Sequence, residues 1–274
     1  MRKFFASALA LVLTVSAANS ADLYEPQPAD PILDAPEVTI QQASGWYLRG
    51  DVGYSFNKLR GAEYFQGSNG NLVDFTHTSL KDSFLLGAGV GYQINSYLRT
   101  DVTFDYLTSA DFRGGTSGFC GAVPCTSSDT SYMHAYSLMA NVYVDLGTYG
   151  YFTPYVGGGI GGTYVKWGQL HNTICDDPAI PGCYTTDHGG KKSWRFTYAL
   201  MAGASIDITC NLKADIGYRF RHITSGEMFG YNANGGPGRD KGFYSHEARV
   251  GARYVFGGCD APPYEPPPEP IVYK

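Results

Sequence analysis

Four groups of residues in this chain have the types and spacing to do chemistry. The first is the stretch YRFRHITSG at 218–226, where His222 shortly precedes Thr224 and Ser225, with Glu227 just beyond. An imidazole beside a hydroxyl suits nucleophilic ester cleavage, because the ring nitrogen takes the proton from the attacking oxygen. The second is a set of six cysteines. Cysteines hold zinc at CxxC-type spacing or beside histidines, and form disulfides in exported chains. No zinc spacing is present, and His77, His134, His171, His188 and His246 are scattered. The third is the pair of glycine runs GAGVGY at 87–92 and GGGIGG at 157–162. A phosphate-cradling loop must join a strand to a helix, and both runs lie inside strand-like segments. No cofactor motif emerges. The fourth is a series of arginines and carboxylates on alternate positions, whose chemistry depends on what they face.

What they face follows from the compartment. Arg2 and Lys3 precede the apolar run FFASALALVLTVSAA, with small residues at Ala18 and Ser20. This predicts a secretory signal peptide over 1–20 and a mature chain beginning Ala21-Asp22. No later stretch approaches the ~20 apolar residues of a membrane helix. Aromatic residues make up 15% and charged residues 16%, against about a quarter charged in soluble domains. The net charge of −5 and the absence of a basic run exclude nucleic acid as an expected partner.

Eight segments alternate with period two, near 45–57, 82–94, 97–108, 131–146, 151–167, 193–208, 210–222 and 243–256. In each, even positions are the more apolar. The fifth is the weakest, with many glycines and Pro154. Short connections at 95–96, 147–150 and near Thr209 alternate with long ones near 58–81, 109–130, 168–192 and 223–242. That pattern predicts an all-β fold: an eight-stranded antiparallel transmembrane β-barrel, with short periplasmic turns and long extracellular loops. The even set supports it. Phe56, Phe84, Tyr106, Tyr132, Tyr136, Tyr164, Trp194, Phe196, Phe220 and Tyr244 mark the outer ends of the strands. Trp46, Tyr92, Phe152, Tyr254 and Phe256 mark the inner ends, and aliphatic residues lie between. Two aromatic belts around an aliphatic band match a membrane girdle. The alternatives are a soluble β-sandwich or a lipocalin-like barrel, whose polar face would point outward.

The odd set then faces the lumen. It holds Arg49, Arg99, Arg195, Lys213, Arg219, Arg221, Arg249 and Arg253, against Asp51, Asp101, Asp105, Asp145, Asp207, Asp215 and Glu247. An eight-stranded barrel is only wide enough for side chains or one small ligand. Isolated buried charges are too costly, so these are expected to pair and fill the bore; the competing expectation is a narrow polar pore. Inward glycines such as Gly91, Gly203 and Gly217 are expected to leave room for a long Arg or Tyr from the opposite wall.

Cys120 and Cys125, and Cys175 and Cys183, are sequence neighbours that would close rings in extracellular loops. Cys210 and Cys259 remain. They fall at the periplasmic ends of the last two strands, so a Cys210–Cys259 bond is expected at the root of the tail. That tail, 257–274, and the segment 21–44 are both proline-rich and are expected to be extended periplasmic arms flanking a barrel at 45–256.

The stretches WYLRGDVGYSFN, TPYVGGGIGG and LKADIGYRF, with the final RVGARYVF, make the chain resemble small outer-membrane β-barrel surface antigens of the opacity-protein and OmpA-barrel-like superfamily. The last strand, ending at Phe256, looks like the signal read by the barrel assembly machinery. The resemblance implies residence in the cell outer membrane among its lipids, and a structural and surface-antigen role without enzyme activity. Some members are adhesins, which implies host surface molecules as partners. Ala21-Asp22 is similar to the start of related barrels joined through their N-terminal amine to peptidoglycan, making Ala21 the candidate attachment point. YRFRHITSG resembles the His-x-Ser-Asn segment of lipid A deacylase barrels, with Thr224 in place of the nucleophilic serine. That stretch is more simply a strand entering a polar loop.

Overall fold

In hydrocarbon every backbone N–H and C=O must find a partner inside the protein, which leaves a sheet no choice but to close. The computed structural model describes residues 45–66, 71–120, 122–232 and 236–259. The expected signal peptide over 1–20, the arm over 21–44 with Ala21, and the tail beyond Cys259 lie outside the described residues.

The strands in chain order are β1 (Gly45–Leu59), β2 (Ala62–Gln66), β3 (Asn71–Asp74), β4 (His77–Leu80), β5 (Ser83–Gln93), β6 (Leu98–Gly115), β7 (Ser117–Cys120) and β8 (Val123–Asp145). They continue with β9 (Phe152–Trp167), β10 (Leu170–Ile174), β11 (Tyr184–His188), β12 (Lys192–Asp207), β13 (Leu212–Ile223), β14 (Gly226–Phe229), β15 (Gly238–Asp240) and β16 (Phe243–Val255). Eight of them form a closed antiparallel ring, β1–β5–β6–β8–β9–β12–β13–β16. The ring is sealed by β16 on β1 from Tyr47↔Val255 to Leu59↔Phe243. The glycine-rich fifth segment forms a continuous strand, β9. The short turns lie at 94–97, 146–151 and 208–211. In the second of these, Gly147 (φ 112°) and Gly150 (φ 65°) take left-handed conformations that side-chain-bearing residues rarely adopt.

The outer wall is apolar. Val52, Val102, Ile160 (62% exposed), Leu200 and Ile216 face outward between exposed aromatics at both ends, including Trp194 (66%) and Trp46. A band of this extent has no place in water and matches the lipid-facing girdle of an outer-membrane barrel. Inside, the glycines serve adjacent strands rather than the opposite wall. A Cβ on Gly91 would overlap the ring of Tyr47, its partner on β1. Tyr155 of β9 lies over Gly203 and Gly217 on the next two strands in the same way.

Among the described residues the long extracellular loops carry strands of their own. β6 runs to Gly115 and β8 starts at Val123, so the wall on this side rises well above the lipid. β4 adds to β6, the β10–β11 hairpin adds to β8, and β14–β15–β2–β3 form a separate four-stranded sheet. These pieces make an extracellular head. In it apolar side chains such as Phe75, Leu80, Phe112, Leu170 and Phe229 turn inward. On β6 this is achieved by a register shift between Leu107 and Ala110. Below it Leu107 is buried and Phe104 exposed; above it Phe112 is buried and Asp111 and Arg113 are exposed. The physical cause is the change of solvent from hydrocarbon to water.

Candidate functional site

The bore is filled at three levels. At mid-height, Arg219 bonds Asp105 at 2.8 Å and Glu247 at 2.6 Å. Arg221 bonds the other oxygen of Glu247. Arg249 bridges Asp105 (3.1 Å) and Asp51 (3.2 Å). Arg49 joins Asp51 (2.8 Å) to Asp101 (2.9 Å) and to the Tyr143 hydroxyl (2.9 Å). Four guanidiniums thus meet four carboxylates, and the charges cancel within one connected network. Charge-assisted bonds of this kind repay the desolvation of buried ions only when nearly every partner is present.

Nearer the periplasm, Arg99 bonds Asp145 at 3.1 Å and lies over the rings of Tyr143 (4.4 Å) and Tyr155 (4.5 Å). Arg253 donates to Ser205 at 2.7 Å, lies 3.4 Å from Asp215 and covers Tyr47. Lys213 and Asp207 pair at the half-buried rim. Arg195 pairs instead with Asp240 of the head, at 2.7 Å. One pocket among the mid-lumen side chains measures about 20 Å³, close to the volume that holds a single water.

The third level is apolar, and sequence reading missed it. Leu85, Leu107, Met133, Ala135, Val165, Ile223 and Phe243 close the extracellular end of the bore, all essentially buried. Above them Phe112 is ringed by Phe75 (6.0 Å), Trp167 (5.6 Å) and Phe229 (6.0 Å). The plug ties the head to the barrel, since Phe75 and Phe229 belong to the head.

Above the plug, the head encloses a cleft of about 680 Å³ between the β7–β8 hairpin, the β10–β11 hairpin and the separate sheet. Tyr64, Phe75, Leu170 and Phe229 supply apolar walls; Asp129 and His188 supply polar groups. Among the described residues no lysine or arginine lines it. Bonds Cys120–Cys125 and Cys175–Cys183 brace the flanking hairpins. At the opposite end of the barrel Cys210 is bonded to Cys259. Asp129 is fully buried, accepting from Ser127 at 3.0 Å and from Asn172. Burial raises its pKa above the ordinary carboxylate value; the two hydrogen bonds and the nearby His188 and His77 pull less strongly the other way. The unfolded chain ionises at the ordinary value, so this carboxylate costs stability once the pH exceeds about 4. Asp129→Asn should therefore resist denaturant at pH 7 as well as or better than the parent, with the difference vanishing below about pH 4. Hydrogen exchange of the head in urea would measure it.

The remaining residues singled out from sequence do not assemble into catalytic machinery. His222 faces outward between the rings of Tyr198 (5.1 Å) and Tyr244 (5.0 Å), with Arg60 Nη1 3.5 Å from Nε2. Thr224 spends its hydroxyl on the carbonyl of Phe196 at 3.1 Å. Among the described residues no hydrogen bond joins His222 to Thr224 or Ser225, and Glu227 pairs with Lys191. GAGVGY and GGGIGG are barrel wall within β5 and β9.

Several known proteins are similar to this chain. An uncharacterised protein of Brucella abortus (strain 2308) is 36% identical, covering 90% of this chain and 95% of that one. A Rickettsia bellii (strain OSU 85-389) protein named as a candidate adhesin is 28% identical, covering 76% of this chain and 87% of its own. The crystal structure of Neisserial surface protein A aligns with a TM-score of 0.45 at 17% identity, covering 78% of this chain and 99% of that chain. A family model described as outer membrane protein beta-barrel domain matches residues 7–256. With its closed eight-strand ring and lipid-facing girdle, the chain belongs to that outer-membrane β-barrel family and resides in the outer membrane.

Proposed function

We propose that the protein is a non-conducting structural barrel that holds a braced head at the cell surface, contributes to envelope integrity and is exposed there as a surface antigen. The observation that carries this reading is the filled bore: a neutral ion network below and an apolar plug above. Ions crossing it would have to displace buried, hydrogen-bonded charges and then dehydrate against phenylalanine and tryptophan. Planar bilayer recordings of the folded protein should show no discrete conductance steps; steps that persist after removal of contaminating porins would overturn the reading. Cells lacking the chain should be more sensitive to detergent, and antibodies to the head should label intact cells.

A second reading, adhesion, is favoured by the cleft in the head. Its aromatic walls and buried carboxylate, with no lysine or arginine among the described lining residues, complement an apolar group carrying a cation, such as a lysine or arginine side chain of a host surface protein. Deleting 175–183 should abolish cell binding under this reading while leaving barrel folding intact; unchanged binding would exclude it. At the periplasmic side, the Ala21-Asp22 start supports a bond from the Ala21 amine to peptidoglycan. Mass spectrometry of digested sacculi would find Ala21 linked to a stem peptide, and a free Ala21 amine throughout would refute it.

A further inference from the structure

We propose that His134, Lys166 and Lys192 form a binding strip for the phosphate groups of the glycolipid in the outer leaflet. The three residues sit side by side on adjacent strands, with His134 of β8 opposite Lys166 of β9 and Lys166 opposite Lys192 of β12. All occupy outward positions of the wall. Lys166 and Lys192 cap the outer aromatic belt and His134 lies within it: Tyr164 precedes Lys166, Trp194 follows Lys192, and Tyr132 and Tyr136 flank His134. Lys166 lies two residues beyond Tyr164, roughly 5 Å farther along the barrel axis for a strand tilted by ~40°. That is headgroup depth, where lipid phosphates lie.

The charges at this rim do not neutralise themselves. The nearby carboxylates are engaged elsewhere, Asp111 by Lys81 at 2.9 Å and Glu227 by Lys191 at 3.3 Å. Among the described residues neither Lys166 nor Lys192 takes part in an ion pair. Two ammonium-bearing side chains directly opposite each other on paired strands repel, and a low-dielectric lipid surface below strengthens the repulsion. An anion placed between them reverses the sign. A phosphate suits the gap because one compact group offers several acceptor oxygens to both ammoniums at once. His134 adds a ring nitrogen on the same line, its imidazole steadied edge-on by Tyr136 at 5.9 Å and by Tyr106 at 6.4 Å. Below the strip, Ile160 and Leu200 continue the same outer face and would receive the acyl chains.

The strip is separate from the lumen and from the cleft, so its test is independent of the proposed function. The full folded chain in detergent micelles would be titrated with bis-phosphorylated lipid A, with the same glycolipid dephosphorylated, and with inorganic phosphate, and read by native mass spectrometry. The parent should retain the phosphorylated lipid, and Lys166→Gln/Lys192→Gln should bind it at least about tenfold more weakly, the loss expected for charge-assisted contacts. Lys166→Arg/Lys192→Arg should restore binding. Arg113→Gln/Arg239→Gln, which removes the same charge from the head, should leave it unchanged. Heat-dependent gel migration would verify that each variant is folded. Equal affinity of the parent and the double glutamine variant overturns the proposal. So does equal binding of the dephosphorylated lipid, or displacement of lipid A by millimolar inorganic phosphate.

Discussion

Glu247→Ala should lower the stability of the barrel by about 3–5 kcal/mol, the cost of leaving buried charge uncompensated. Glu247 is fully buried and holds Arg219 through one oxygen and Arg221 through the other. Removing it leaves Arg221 with Asp105 at 3.8 Å as its nearest anion and Ser137 as a neutral acceptor. Asp105 already serves Arg219 and Arg249, so the level carries an excess positive charge that no neighbour absorbs. Glu247→Gln keeps an acceptor but loses the charge, and should fall between the parent and the alanine variant. Urea unfolding in liposomes, followed by tryptophan fluorescence and gel migration, would rank the three. A loss below about 1 kcal/mol for alanine would mean that water already solvates this level, contrary to the filled bore. Conductance should stay absent in both variants, because the apolar plug lies above the site of change.

Phe112→Ala should cost about 3–5 kcal/mol as well, but in a different place. The ring is buried among Phe75, Trp167 and Phe229, and its removal leaves a cavity that packed strands cannot collapse into. Because Phe75 and Phe229 are head residues, the substitution weakens the packing that couples head to barrel. Amide hydrogen exchange should rise across β2 to β4 and across β14 and β15, while the lipid-embedded parts of β1, β5 and β13 keep their protection. The barrel should still show heat-dependent gel migration. Unchanged exchange in the head would show that its hydrogen-bonded sheet, not the plug, keeps it in place. The two variants thus separate the two halves of the interior, one held by charge and the other by packing.

Much of the barrel was legible because a bilayer enforces a simple code. Each residue faces either lipid or lumen, so the even positions of β1, β13 and β16 could be read as outer wall and the odd positions as a charged bore. The lumen residues Arg49, Asp51, Asp101, Asp105, Arg219, Glu247 and Arg249 do meet in one network. Which guanidinium takes which carboxylate was not legible, since that depends on the stagger of strands around the ring. The head was legible as disulfide-closed loops but not as strands. Its strands are short, and the parity rule fails there: extended past the register shift in β6, it would have put Phe112 in lipid and Asp111 and Arg113 in the lumen. The alternation Ala110-Asp111-Phe112-Arg113 was a usable signal, but of a strand in water.

The sequence by itself determined the closed sheet, its lipid-facing girdle, the direction of its turns and the charge carried by its bore. All of these follow from a period-two pattern read against hydrocarbon, where an unpaired backbone is forbidden. Only the tertiary structure decided how the bore is closed, that the long connections rise into a braced head, and that His134, Lys166 and Lys192 stand in a row at the rim. These depend on contacts between residues far apart in the chain. Such contacts are set by strand register and by the point at which the surrounding solvent changes from lipid to water, and neither is written in any one segment.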